Sequence, residues 1–172
     1  MSDYRRAFAP GGCYFFTVVT HGRQRLFEDI EHVDRLREGM RRTLQKRPFA
    51  IDAIVILPDH LHTIWRLPEN DEDFSLRWRL IKHFLACSIE ADTNGRGEKL
   101  VWQRRFWEHQ IRNQEDWRRH LDYIHFNPVK HGYVSRPGEW PWGSFAKAVK
   151  RGWYPADWGE QEPRHLVGMD FE

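Results

Sequence analysis

Two apolar runs meet at one tight break. Phe49 to Leu57 stops at Pro58-Asp59, and Leu61 to Leu67 starts just beyond and stops at Pro68. Both runs carry Ile, Val, Thr or Trp, side chains that suit a pleated surface, and proline cannot donate to an interior ladder. The pattern predicts an antiparallel hairpin across a short Pro-Asp turn. Around it the periodicity alternates. Cys13 to Thr20, behind Gly11-Gly12, reads as a strand, and the aromatic, Arg-rich stretch Val101 to Ile111 as another. Glu31 to Arg47 reads as a helix with Val33, Leu36, Met40 and Leu44 on one stripe, closed by Pro48. Ser75 caps a second helix to about Ala91, with Leu76, Leu80, Ile81, Phe84 and Leu85 inward. Asn113 caps a third, running to about Asn127 and ended by Pro128. Glu69 to Asp73 and Thr93 to Gly97 read as loops, and the Pro- and Trp-rich region after Gly132 as mostly irregular. The order β-α-β-β-α-β-α predicts an α+β fold, one antiparallel sheet with helices packed on it.

At 172 residues the chain fits one compact domain with a sizeable core. Its 40% hydrophobic and 15% aromatic content excludes a disordered class. The longest uncharged stretch, Ala7 to Gly22, is broken by Pro10, Gly11 and Gly12 and is too short for a membrane helix. No apolar leader opens the sequence, and Cys13 and Cys87 form neither a disulfide framework nor a zinc pattern, so a cytoplasmic protein with no membrane partner is expected. Charge is uneven. Residues 1–153 carry a net +6 and residues 154–172 a net −4. We therefore divide the chain into a domain over 1–153 and an acidic C-terminal tail over 154–172. The basic body permits a polyanionic partner.

Three constellations can carry chemistry. On a strand, His60 and His62 project from one face, half of a metal site, or else two surface or partly satisfied histidines. On the third helix, Trp117, Leu121 and Ile124 form the apolar stripe, and Tyr123 lies off it with His120 and Asn127 on a polar flank. That tyrosine is a nucleophile beside a metal ligand, or else an amphipathic surface residue or one packed on a neighbouring strand. The run Trp102-Gln103-Arg104-Arg105-Phe106-Trp107, followed by Arg112, Arg118 and Arg119, offers forks for phosphates and platforms for bases, or simply a solvated face over a Trp-rich core. Together the parts make sense for phosphoryl chemistry: a cation on two imidazoles polarises a phosphate, and a phenol oxygen attacks it. No Gly-x-Ser-x-Gly elbow and no Gly-rich phosphate loop competes with this reading.

These residues resemble a known family. Pro58-Asp59-His60-Leu61-His62 followed by Tyr123-Ile124-His125-Phe126-Asn127-Pro128-Val129-Lys130-His131-Gly132 is similar to the REP-associated tyrosine transposases, single-tyrosine members of the HUH endonuclease superfamily. Gly11 to Thr17, Trp102 to His109 and Trp140 to Phe145 agree in order, so the match covers about residues 5–146.

The resemblance implies a ferredoxin-like (RRM-like) antiparallel sheet with the histidine pair on a central strand. It implies an endonuclease and strand transferase acting on single-stranded DNA beside repetitive extragenic palindromes, through a 5′-phosphotyrosine intermediate that needs no ATP for rejoining. By position, His60 and His62 are metal ligands, Tyr123 is the nucleophile and Asn127 is a third ligand. His120, which shares the tyrosine's flank, and His125 and His131 of the motif carry no fixed role. Arg104, Arg105, Trp107, Arg112, Arg119 and Lys130 are the DNA-contacting candidates. Mg²⁺ or Mn²⁺ is the expected metal, with zinc competitive on imidazoles alone. A monomer associated with the nucleoid when bound to hairpin DNA is expected. Two other readings stay open, a silent DNA-binding regulator on the same fold and a hydrolytic metallonuclease in which Tyr123 is structural. The acidic tail is read as a shield over the DNA face, so that removing Tyr154 to Glu172 would raise binding or cleavage.

Overall fold

The computed structural model describes residues 8–172. The first seven residues of the expected domain, and the start of the resemblance near residue 5, lie outside the described residues. Four strands form one sheet in the order β2-β3-β1-β4, every neighbouring pair antiparallel: β1 (Cys13–Val19), β2 (Ala50–Ile56), β3 (His60–Arg66) and β4 (Trp107–Gln110). The hairpin across Pro58-Asp59 forms as the punctuation requires, and it puts β3 in the interior of the sheet beside β1. The fold is α+β, with the order through the third helix as read from the sequence.

Alternation along the strands builds two cores. Tyr14, Phe16 and Val18 of β1 and Leu61 and Trp65 of β3 face α1 (Ile30–Lys46) and α2 (Phe74–Ala86), which contribute Val33, Leu36, Met40, Trp78 and Ile81. Trp65 and Trp78 are fully buried and stack with ring centroids 4.2 Å apart, so these two of the nine tryptophans serve packing. Fully burying one large apolar side chain is worth about 1.5–3 kcal/mol. The opposite face, with Phe15, Val55 and Ile64, packs on Leu121 and Ile124 of α3 (Gln114–Lys130) and on Phe145 of the short helix α4 (Phe145–Lys150).

Four local expectations need correction. The second helix is capped by Asp73, whose side chain accepts from the Leu76 N–H at 2.9 Å, rather than by Ser75, and it ends at Ala86 rather than Ala91. An ionised carboxylate there also suits the positive helix terminus. The run Val101 to Ile111 is not one strand: Trp102 pairs with Thr20 as an isolated bridge, exposed Gln103 to Arg105 interrupt, and only Trp107–Gln110 joins the sheet. The region after Gly132 contains α4. Most consequentially, α3 runs through Pro128. In the last turns the loss of one N–H at Pro128 is tolerated, and the helix ends at Lys130, with Gly132 just past the cap at a φ of +73° that admits a left-handed end. There Gly132 N–H donates to Val129 O and Tyr133 N–H to Pro128 O, the paired bonds of a glycine-terminated helix. The extra turn carries Lys130 and His131 into the site.

Candidate active site

β3 brings His60 and His62 out on the α3 face, while Leu61 enters the opposite core. Their ring centroids lie 4.9 Å apart at 80°, and both residues are buried. Each is oriented through Nδ1. The His60 Nδ1–H donates to Asp59 Oδ1 at 2.6 Å. His62 Nδ1 lies 2.8 Å from Thr17 Oγ1, and that hydroxyl spends its own hydrogen on the Phe171 carbonyl at 2.7 Å. Thr17 therefore accepts from His62, and in the neutral form of either ring Nε2 keeps the lone pair. Neither Nε2 has a hydrogen-bond partner among the described residues. Two buried, pre-oriented, unpaired imidazole nitrogens fit a divalent metal, with Asp59 and Thr17 as the outer supports such ligands need. Burial holds the His62 pKa well below the ordinary imidazole value, and repulsion from His60 adds to this. Burial opposes ionisation of Asp59, yet the hydrogen bonds and charges of His60 and Arg23 overcome it and hold that carboxyl at about 2.

Tyr123 faces this pair. The flank of α3 read from its periodicity as polar and off-stripe is turned inward: Tyr123, His120 and Asn127 are all buried. The reason is the sheet surface beneath, where Thr17, His60 and His62 form a polar strip. The Tyr123 and His62 ring centroids are 5.2 Å apart. Lys130 Nζ donates to the Tyr123 hydroxyl at 3.3 Å and the Phe171 N–H at 3.2 Å, and the hydroxyl donates to Glu172 Oε1 at 3.4 Å. Burial raises the phenol pKa, and the Phe171 N–H and the Lys130 charge only partly offset that.

Glu172, the last residue, closes the constellation. Its Oε1 accepts from His131 Nε2 at 2.7 Å and lies 3.5 Å from Lys130 Nζ and 3.8 Å from His60 Nε2. Donor atoms of His60, His62 and Glu172 lie within 4.8 Å of one another. Burial works against its charge, but the His131 hydrogen bond and the charges of His60, His131 and Lys130 hold this carboxyl far below its usual range. Nothing in the local sequence marks Glu172, because only the fold brings the chain end back to β3. Asp59 was visible as a turn residue, and its adjacency to His60 was the available signal for an orienting role. Thr17 gave no such signal.

The remaining sequence-derived residues divide. Asn127 is fully buried one turn beyond Tyr123, with both amide atoms unpartnered among the described residues. His131 joins the site through Glu172 and lies 5.4 Å, ring to ring, from His60. His125 does not join it. Its Nε2 lies 3.0 Å from Ser144 Oγ and its ring packs on Phe145 and Tyr154, with burial first and the Arg118 charge second pushing its pKa down to about 3. His120 stacks against the tail residue Phe171, as does Trp107 of β4. Arg104 and Arg105 are exposed just before β4, Arg112 is exposed in the link before the Asn113 cap of α3, and Arg119 is exposed on the second turn of α3. Among the described residues no helix is long and apolar enough to cross a membrane.

Comparison with known proteins identifies the family of the chain. The family model described as "Transposase IS200 like" matches residues 12–125. A REP-associated tyrosine transposase of Escherichia coli (strain K12) is 47% identical over 158 residues, covering 92% of this chain and 91% of the relative. A relative from Haemophilus influenzae is 42% identical over 175 residues, covering 98% and 99%. The solved structure of a REP-associated tyrosine transposase bound to a REP hairpin superposes with a TM-score of 0.81 at 44% identity, covering 96% of each chain. The sheet-borne histidine pair facing a helix-borne tyrosine thus sits in a chain that belongs to the IS200-like transposases, an enzyme of the REP-associated tyrosine transposase family with the HUH fold.

Proposed function

We propose that this transposase is a divalent-metal-dependent endonuclease and strand transferase that nicks single-stranded DNA beside a REP-like hairpin. What carries the reading is one juxtaposition: a phenol hydroxyl beside two imidazole nitrogens that are buried, oriented and unpaired. The hairpin partner comes from the structural relative, which is bound to one.

His60 and His62 would hold Mg²⁺ or Mn²⁺, with Asn127 Oδ1 as the oxygen ligand; a cation there draws charge off the phosphate oxygens. The chain's own residues do the rest. The Tyr123 oxygen attacks phosphorus and loses its proton, the bond from phosphorus to the 3′ oxygen breaks, and that oxygen leaves as a hydroxyl. The phosphate stays on Tyr123 as a 5′-phosphotyrosine, so a later attack by a 3′-hydroxyl reseals the strand without ATP. Burial makes the phenol a weaker acid, and Lys130, 3.3 Å from its oxygen, is the charge that stabilises the phenolate.

The tail regulates this site. Glu172 occupies the place a scissile phosphate would take, against Tyr123, Lys130, His131 and His60, so DNA entry requires its removal. The chain is read as a monomer in this role, since both halves of the site come from one copy.

The test is covalent capture. Wild-type protein, a labelled REP hairpin with single-stranded flanks and Mn²⁺ or Mg²⁺ give a protein–DNA adduct that survives denaturation. Tyr123→Phe binds the same DNA and forms none, and excess chelator abolishes the adduct in wild type. Cut DNA with no protein on its 5′ end would instead establish hydrolysis with a structural tyrosine, and binding without any cutting would establish a silent regulator.

A further inference from the structure

Beside the phosphate position, four rings lie nearly parallel. Phe171 is stacked on Trp107 at 5.4 Å and 12° and on His120 at 4.9 Å and 13°. His109 stacks on both of these in turn, at 6.1 Å and 12° from Trp107 and at 4.6 Å and 13° from His120. Phe15 and Tyr123 meet Phe171 edge-on at 5.6 Å and 4.9 Å and close its sides. Only the last of the chain's phenylalanines fills this place, and it is the residue next to the carboxylate that sits on the tyrosine.

The group His109, Asp116 and His120 also has donor atoms close enough together for a cation. Its geometry serves another end. His109 Nε2 is committed to Asp116 Oδ2 at 2.8 Å, and His120 Nδ1 to the Asp116 carbonyl at 2.8 Å. The two imidazoles lie face to face rather than converging on a point. Asp116 thus locks both rings flat as a platform. Donation through Nδ1 leaves His120 Nε2 as an acceptor, and it has no partner among the described residues although His120 is 4% exposed. A flat, rigid, aromatic surface with one unpaired acceptor at a buried edge matches a nucleobase, which offers a π face and N–H groups on its rim.

We infer that the platform of Trp107, His109 and His120 seats one base of the single-stranded DNA, the base adjoining the phosphate that Tyr123 attacks, and that Phe171 stands in for it in the closed protein. The inference rests on the endonuclease reading and deepens it. The last two residues then resemble one nucleotide, with a ring for the base and the carboxylate of Glu172 for the phosphate. The spacing agrees, because the Phe171 ring is 4.9 Å from the Tyr123 ring while its own N–H reaches the tyrosine hydroxyl at 3.2 Å.

An abasic scan tests this. A REP hairpin with single-stranded flanks is made as a series, each oligonucleotide lacking one flank base, and binding is measured by fluorescence anisotropy to protein carrying Tyr123→Phe, which cannot cut. One abasic position should weaken binding by roughly 5- to 150-fold, the worth of one base–aromatic stack. Adding Trp107→Ala should shrink the penalty at that position to less than about twofold, and Trp107→Phe should restore it. Trp107 is 38% exposed, so its truncation leaves the core intact. A flat scan, or a single penalty unchanged by Trp107→Ala, overturns the inference and leaves the platform as a seat for the tail alone. Adduct formation by wild-type protein on the intact hairpin reports the chemistry separately. The scan pattern without any adduct would keep the base seat and refute the endonuclease reading, and an adduct with a flat scan would do the reverse.

Discussion

Removing the last two residues, Phe171 and Glu172, should make the enzyme easier for DNA to engage. The magnitude follows from what holds them. Phe171 is half-buried against Trp107, His120, Phe15 and Tyr123, which is worth about 1–1.5 kcal/mol of the 1.5–3 kcal/mol for full burial. Glu172, its side chain 13% exposed, accepts a charge-assisted hydrogen bond from His131 at 2.7 Å, worth about 1.5–3 kcal/mol. Ordering the backbone of two terminal residues costs about 2–3 kcal/mol. The difference is about 1–2 kcal/mol in favour of the closed tail, a closed-to-open ratio of roughly 5 to 30. An enzyme whose competent state is that fraction of the population binds correspondingly more weakly. The truncated protein should therefore form adduct about 5- to 30-fold faster at limiting hairpin DNA, with little change at saturating DNA, where substrate has already displaced the tail. Glu172→Gln, which keeps shape and loses charge, should recover part of the gain. The assay is single-turnover adduct formation against DNA concentration, with a melting curve to show that the fold is kept. A truncated protein that stays folded yet shows slower adduct formation, or needs more metal, would refute the plug and make Glu172 a ligand of the working site. The cut must be confined to the end. Tyr154 and Leu166 are buried, and Asp122 accepts from the Tyr154 hydroxyl at 2.5 Å and pairs with His165 at 2.8 Å, so deletion from residue 154 would also strip the α3 core.

Three further outcomes are expected. Asp59→Ala frees the His60 ring and should weaken Mn²⁺ binding by about 10- to 100-fold, measured by calorimetry; unchanged affinity would detach Asp59 from the metal role. His125, with a folded pKa near 3, binds its proton in the unfolded chain below about 6.5 but not in the folded one, so its contribution is complete above that pH and is lost as pH falls. Stability should drop by about 1 kcal/mol between pH 7 and pH 5.5 in denaturant titrations, and His125→Gln should remove that part of the slope; equal slopes in the two proteins would show that the buried ring is not responsible. Binding of single-stranded hairpin flanks should weaken steeply with salt, and Arg104→Ala with Arg105→Ala should lower the log–log slope by roughly 1.4, about 0.7 for each phosphate no longer neutralised. An unaltered slope would place these exposed arginines away from the DNA backbone.

Much of the arrangement was legible in the chain. Strand periodicity gave the hairpin and the shared face of His60 and His62, since a period of two admits no other arrangement on a regular strand. Helix periodicity located Tyr123 and Asn127 one turn apart on a polar flank but could not say whether that flank meets solvent or the sheet. A polar flank reads as solvent-facing unless it is known that the sheet beneath is polar too. Pro128 looked like a stop, yet a proline in the last turn of a helix forfeits one hydrogen bond, and the glycine four residues later lies just past the true terminus.

Local pattern alone determined the hairpin, the order β-α-β-β-α-β-α through α3 and the paired imidazoles, because these depend on neighbours in sequence and on backbone period. It determined neither α4 nor the extent of β4. Tertiary structure decided the encounter of Tyr123 with His62, the orienting hydroxyl of Thr17, the reach of Lys130 past Pro128, and the return of Phe171 and Glu172 from the far end of the chain. Each of those joins groups on different elements, and no spacing along the chain encodes a distance that exists only after the helix has packed on the sheet.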